Sequence, residues 1–367
     1  MPIPLLNIWA VSRTTQLKLQ QLKVIIISWL IIGVLIAIYD YLILLTSNSV
    51  NSSEELPFWV SLGVNAGAAL TGALLGGSFL VFFINVKYQD KPYGYTIIAV
   101  SISFMLIIAL IAVILGIILA PSLTVDSVGD TMLRMAPRTL KSIIIWSLVV
   151  AITQLLLKVN SKFGQGAFWN IIRGKYNTPK EEKRIFMFLD LNSSTAIAEQ
   201  LGDEAYHAFL KDFFADITDP ILENEGEIYQ YVGDEVVVAW SYEDGKRNFN
   251  CLKCFFDMKL HIQKKKEKYM GSYGLMPSFK AGIHCGRVIA GEVGIIKRDI
   301  TYSGNVLNTT SRILNKCVEF NEEIIASGDL ISEIPFIKDY IARPLGFIKL
   351  KGKRKEVLLN ALVPVAG

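Results

Sequence analysis

Residues 226–240 read GEIYQYVGDEVVVAW, which places two acidic side chains at a tight turn between two strand-forming runs. Ile228, Tyr229, Tyr231 and Val232 precede the turn, Val236, Val237, Val238 and Trp240 follow it, and Gly233-Asp234 supplies the backbone freedom for the reversal. This spacing predicts a β-hairpin with a carboxylate at its tip. An earlier run, 184–191 (RIFMFLDL), predicts a buried strand ending in a second carboxylate, Asp190. A strand end and a hairpin tip can meet in space, and two aspartates so placed offer the hard oxygen ligands that Mg²⁺ and Mn²⁺ take. Taken alone, Asp234 also reads as an ordinary turn aspartate.

Two further blocks change that balance. Residues 279–293 (FKAGIHCGRVIAGEV) predict a second apolar hairpin, spanning about 278–293, with small residues at its turn, and 305–312 read NVLNTTSR. In this order the three blocks resemble the class III nucleotidyl cyclases, over about residues 179–363. The elements around them read as a strand over 185–191, a helix over 194–222, the first hairpin and a helix over 246–269. The second hairpin, a strand near Ile300, a helix over 306–317 and terminal strands near Ile324 and over 347–363 follow. That is an α+β, ferredoxin-like βαββαβ plan, and a plan alone does not settle function.

The resemblance implies a chemistry: attack of a ribose 3′-hydroxyl on the α-phosphate of the same nucleoside triphosphate, with loss of pyrophosphate. Two Mg²⁺ or Mn²⁺ ions per site would be bridged by Asp190 and Asp234, with the backbone carbonyl of Leu191 as an extra ligand. Arg312 matches the guanidinium that neutralises charge on the transferring phosphoryl group, and Asn308, one helical turn earlier, matches the asparagine that orients the ribose. In that family the aspartates come from one catalytic domain and the Asn and Arg from another. A chain carrying both sets implies a head-to-tail homodimer with two sites.

Base selection departs from the family pattern. Where adenylyl cyclases usually carry Lys, four residues before the second aspartate, stands Gln230, and the position seven residues before Asn308 is Thr301. Thr301 fits the threonine-bearing subgroup, its hydroxyl accepting from the adenine amino group. The Gln230 amide can donate to adenine or accept from guanine. The typical guanylyl pair is absent, so ATP is favoured, with GTP or a pyrimidine nucleotide open. Lys351 and Lys353, in LKGKRK, match the basic terminal hairpin that holds the triphosphate.

The first half of the chain is of another kind. Of 367 residues 52% are hydrophobic and mean hydropathy is +0.40, too apolar for a purely soluble protein. The excess lies in runs 24–45, 58–85, 96–120 and 143–159, each near the roughly 20 residues a helix needs to cross about 30 Å of hydrocarbon. We therefore expect a four-helix transmembrane domain over 1–159, a transducing linker over 160–183 containing Phe168 and Trp169, and a catalytic domain over 184–367. A cleaved signal peptide is not expected, because the first run is too long and lacks small residues at its end. Arg13, Lys18 and Lys23 before the first span place both ends in the cytoplasm, within a plasma or inner membrane. Arg134, Arg138 and Lys141 in the third loop oppose that orientation.

Asp40, about five residues from the end of the first span, reads as an interfacial aspartate or as a ligand or helix-coupling residue. Gly63, Gly67, Gly72 and Gly76 form a packing surface on the second span. The short loops leave lipid, a small ligand between helices or a partner protein as possible inputs. Cys251, Cys254, Cys285 and Cys317 lie in the cytoplasmic half and imply no disulfide framework. A net charge of +4 is modest for this length, and Lys264–Lys266 reads as a solvated helix end, so no nucleic-acid partner is expected. The rivals are a diguanylate cyclase, which would need a second glycine where Val232 stands, and a catalytically weak nucleotide-binding membrane scaffold, for which the missing Lys at 230 argues. A transporter is the least favoured.

Overall fold

The computed structural model describes residues 12–46, 57–88, 91–119, 128–163, 173–296, 298–334 and 340–365. The chain divides into two compact units, Thr15–Phe163 and one containing Gly164–Gly367. Phe168 and Trp169 of the expected linker lie outside the described residues.

The first unit consists of helices α1 (Arg13–Thr46), α2 (Phe58–Lys87), α3 (Tyr93–Leu119) and α4 (Val128–Phe163), with two π-helical turns inside α2. Among the described residues these supply four helices long and apolar enough to cross a membrane. Trp29 is their keystone. It is 2% exposed, packs on Phe104 and Trp146, and its indole donates to Thr153 Oγ1 at 3.0 Å. The small residues of α2 divide by position. A Cβ at Gly76 would meet the Phe104 ring at 2.7 Å, whereas Gly63 and Gly67 face open space. Asp40 accepts from Lys141 Nζ at 2.5 Å, which joins α1 to α4. The pair neutralises one of the cations that opposed the expected orientation.

In the second unit β1 (Lys180–Leu191), β2 (Glu227–Val232), β3 (Glu235–Ser241) and β4 (Phe279–Val293) lie in the order β2-β3-β1-β4, with antiparallel neighbours throughout. Helices α5 (Ser194–Leu201) and α6 (Asp203–Glu223) connect β1 to β2; α7 (Tyr242–Lys246), α8 (Asn250–Lys264) and α9 (Lys266–Tyr273) connect β3 to β4. The result is the expected ferredoxin-like plan. It is extended by β5 (Asp299–Ser303) pairing β4, α10 (Asn305–Phe320), β6 (Ile324–Ser327), α11 (Gly328–Glu333), β7 (Tyr340–Ile348) and β8 (Val357–Pro364). Alternation along β1 sends Ile185, Met187, Leu189 and Leu191 into a core with Phe209, Phe213, Phe255 and Met258 of α6 and α8. Phe186 and Phe188 face the other way, toward Val306 and Leu314 of α10.

Several expected elements differ. The helix over 194–222 is two helices, broken at Gly202, whose φ of +77° is a conformation glycine adopts freely. The helix over 246–269 breaks at Asn248 and Phe249, both at positive φ, and again at Lys265. The second hairpin over 278–293 is a correction of kind. Residues 279–293 form one unbroken strand, paired with β1 over residues 279–290, and its hairpin partner is β5. Two of its glycines seat a helix instead of turning the chain. A Cβ at Gly282 would lie 2.4 Å from Leu314 N, and one at Gly286 would lie 2.7 Å from Val306 Cγ2.

Gly282→Ala should therefore push α10 off the sheet and lower stability by about 1–3 kcal/mol. Gly271→Ala, on α9 with nothing within 4 Å of the new methyl, should be neutral or slightly stabilising. Denaturant midpoints of the two variants in the full chain check this.

Candidate active site

Asp190 is the penultimate residue of β1, on the face that α10 covers, and three strands converge on it. Across the ladder it faces Glu235, the first residue of β3. On its other flank stands Lys280 of β4, whose ammonium donates to Asp190 Oδ2 at 2.7 Å. The β2–β3 turn, with Gly233 at φ +65°, brings Asp234 within hydrogen-bonding reach of the same carboxyl. Burial pushes Asp190 above the usual carboxylate range; Lys280 pulls it down, and Asp234 adds to the rise. Glu235 is pushed up to about 7, first by burial and then by Asp190 and Asp234. Tyr206 of α6 also feels both aspartates, and burial leads its upward shift.

Two carboxyl groups confined this way fit a hard divalent cation, which would relieve their repulsion through oxygen. Among the described residues no larger group of His, Cys, Asp and Glu is arranged for a metal. Leu191 has its side chain in the core at 1% exposure, so any ligand role would fall to its backbone carbonyl.

The second group of residues is set by α10. Val306, Thr309, Thr310, Ile313, Leu314 and Cys317 are buried against the sheet, and this orients the helix so that Asn308 is exposed and Arg312 half-buried on its free edge. Arg312 backs onto the β7–β8 turn, where a Cβ at Gly352 would lie 3.4 Å from its Nη2. Lys353 feels that guanidinium: burial, then Arg312, lowers its pKa. The structure thus brings Arg312 and the Lys351–Lys353 turn together in one chain, with Lys351 exposed and Lys353 half-buried. Among the described residues no hydrogen bond or ion pair joins Asp190 or Asp234 to Asn308 or Arg312.

Gln230 is exposed on β2, and Thr301 is half-buried on β5, its hydroxyl 3.5 Å from the Gly291 carbonyl oxygen. Lys280 escaped the sequence reading, and Glu235 entered it only as the second acidic residue of the turn. Glu235 is visible as the residue after Gly233-Asp234. Lys280 becomes recognisable only through the strand register, because nothing local distinguishes it from a surface lysine.

The family model described as "Adenylate and Guanylate cyclase catalytic domain" matches residues 177–360, half of the chain, and the chain belongs to that family. It is 33% identical over 207 residues to adenylate cyclase 2 of Rhizobium meliloti (strain 1021), covering 56% of this chain and 57% of that one. It is 27% identical over 187 residues to adenylate cyclase 1 of the same organism, covering 49% of this chain and 27% of that protein. The chain thus spans little more than half the length of the first relative and about a quarter of the second. The structure of a bacterial light-regulated adenylyl cyclase shares the fold, with a TM-score of 0.51, 17% identity, and coverage of 63% of this chain and 65% of that one.

One electrostatic consequence lies beside the basic turn. His284, on β4, is 8% exposed and bonded through Nδ1 to Ser327 Oγ at 2.7 Å. Burial pushes it down to about 4, with Lys353 adding to the fall and Asp329 opposing it. A histidine lowered on folding contributes stability that is complete above its ordinary value near 6.5 and is lost as pH falls toward 4. We expect about 3 kcal/mol to disappear across that window. His284→Asn, which can keep the Ser327 bond without titrating, should flatten this part of a pulse-proteolysis stability profile of the full chain.

Proposed function

We propose that the protein is a membrane-anchored nucleotidyl cyclase that converts ATP to 3′,5′-cyclic AMP and pyrophosphate at a homodimer interface. The observation that carries this reading is the confinement of Asp190 beside Asp234 at one end of the sheet, in a chain of the cyclase family. Asp190, Asp234 and the Leu191 carbonyl would hold two Mg²⁺ or Mn²⁺ ions. When bound, these supply acidification of the 3′-hydroxyl and charge neutralisation at the attacked phosphate.

The remaining work falls to side chains. Lys280 opposes protonation of Asp190 at the site's edge. Arg312 offers a planar, bidentate donor to the equatorial oxygens as charge builds on them. Asn308 orients the ribose, and Lys351 and Lys353 hold the β- and γ-phosphates near Arg312. Gln230 and Thr301 read the base. A chain of this family that carries both the aspartates and the Asn308–Arg312 pair supports their meeting across two copies. The four apolar helices would anchor the dimer in a lipid bilayer, with the catalytic unit in the cytoplasm, where nucleoside triphosphates are found. Gln230 leaves GTP as a second substrate to be tested.

Purified full chain with Mn²⁺ and each nucleoside triphosphate should yield cyclic AMP and pyrophosphate from ATP faster than any cyclic product from the others. Absence of cyclic product from all four would remove the reading. The dimer has its own test: Asp190→Ala and Arg312→Ala chains, each inactive alone, should recover activity when co-expressed. In a mixed dimer one site carries both lesions and the other neither, so random pairing returns about a quarter of wild-type activity. Verified mixed dimers without activity would place the two groups within one chain.

A further inference from the structure

The two residues assigned to the base lie on strands that do not pair. β2 is an edge of the sheet and β5 lies beyond β4, so the backbone ladder does not set the separation of Gln230 and Thr301. Their immediate neighbours do meet. Tyr302 N donates to the Tyr229 hydroxyl at 3.4 Å, and the two rings sit 5.0 Å apart. The contact depends on a bulge: the β2–β3 register shifts between Ile228 and Gln230, leaving Tyr229 unpaired in the ladder. Tyr229 thereby packs beside Phe186, Val237 and Tyr302, on the face that α10 covers, while Gln230 pairs with Val237. Beneath Tyr302 lies Arg184, its guanidinium 4.7 Å from the ring centroid and its side chain 8% exposed. Glu182 at 2.8 Å and Glu227 at 3.2 Å hold it there. Glu227 is itself a β2 residue, so Arg184 ties both strands to β1.

Resting on the base-reading roles given above, we propose that the Tyr229–Tyr302 bridge, supported from below by Arg184, is the positioning device that sets nucleotide preference. The physical need comes from Gln230. A carboxamide presents a donor and an acceptor and can exchange them by rotation, so its chemistry does not commit it to one purine. Commitment must come from where its backbone is held relative to the second reader. Consecutive Cα atoms are about 3.8 Å apart, so slack at Tyr229 or Tyr302 passes directly to Gln230 or Thr301. Hydrogen bonds weaken over a few tenths of an ångström, and rejection of a wrong base depends on leaving polar groups unpaired.

The test uses the full chain and initial rates with ATP and with GTP. Tyr229→Phe removes the bridging oxygen and keeps the ring; Tyr302→Leu removes the platform on Arg184. The ratio of kcat/KM for ATP over GTP should fall about three- to tenfold in each, chiefly through a higher KM for ATP, with the Tyr229→Phe melting temperature unchanged. A parallel loss for both nucleotides, or an unmoved ratio with an active wild type, would overturn the bridge and leave the cyclase reading standing. No cyclic product from the wild type would overturn both.

Discussion

Asp190 lies beside Asp234 at the end of β1, and the sheet is built to keep it there. β1 is fixed on both flanks, by β3 through seven register pairs and by β4 along its whole length, so the end of the strand cannot retreat. Its inward face carries Leu189 and Leu191 at 0% and 1% exposure, and moving Asp190 would mean lifting them out of the core at roughly 1.5–3 kcal/mol each. Lys280 tempers the repulsion within the chain and burial sharpens it. What results is a concentrated demand for positive charge at one point of the surface.

The second set of groups depends on how near α10 can come to β4. Gly282 and Gly286 let the helix backbone approach the strand, and the buried Thr309 and Thr310 satisfy their hydroxyls on the carbonyls of Asn305 and Val306. With that face fixed, Asn308 and Arg312 are presented on the free edge, and Arg312 meets the β7–β8 turn at Gly352. Glycine here serves proximity, and the placement of Arg312 rests on it.

The membrane-type unit uses polar groups sparingly. The Asp40–Lys141 ion pair places opposite charges of α1 and α4 together, where each alone would be costly in hydrocarbon. Trp29 buries its ring among three helices and spends its single donor on Thr153. Both contacts tie α1 to α4, and α4 is the last helix before residues 164–172.

Much of this protein could be read from its residues in order. The short apolar run in RIFMFLDL and the Gly233-Asp234 turn are local signals, because strand composition and turn chemistry act over a few residues. The four apolar runs are equally local, since crossing hydrocarbon is a matter of length and composition. Tertiary structure decided what long-range contacts decide. Residues 279–293 have the small side chains of a turn yet form one strand, because the pressure for glycine came from a helix about 30 residues onward. The break at Gly202 follows a glycine's own backbone freedom, whereas at Phe249 a non-glycine residue takes positive φ. Lys280 reaches Asp190 across 90 residues and Tyr302 reaches Tyr229 across 73. Strand register makes the first pair neighbours, and a bulge that frees Tyr229 from the ladder makes the second; both are properties of the assembled sheet.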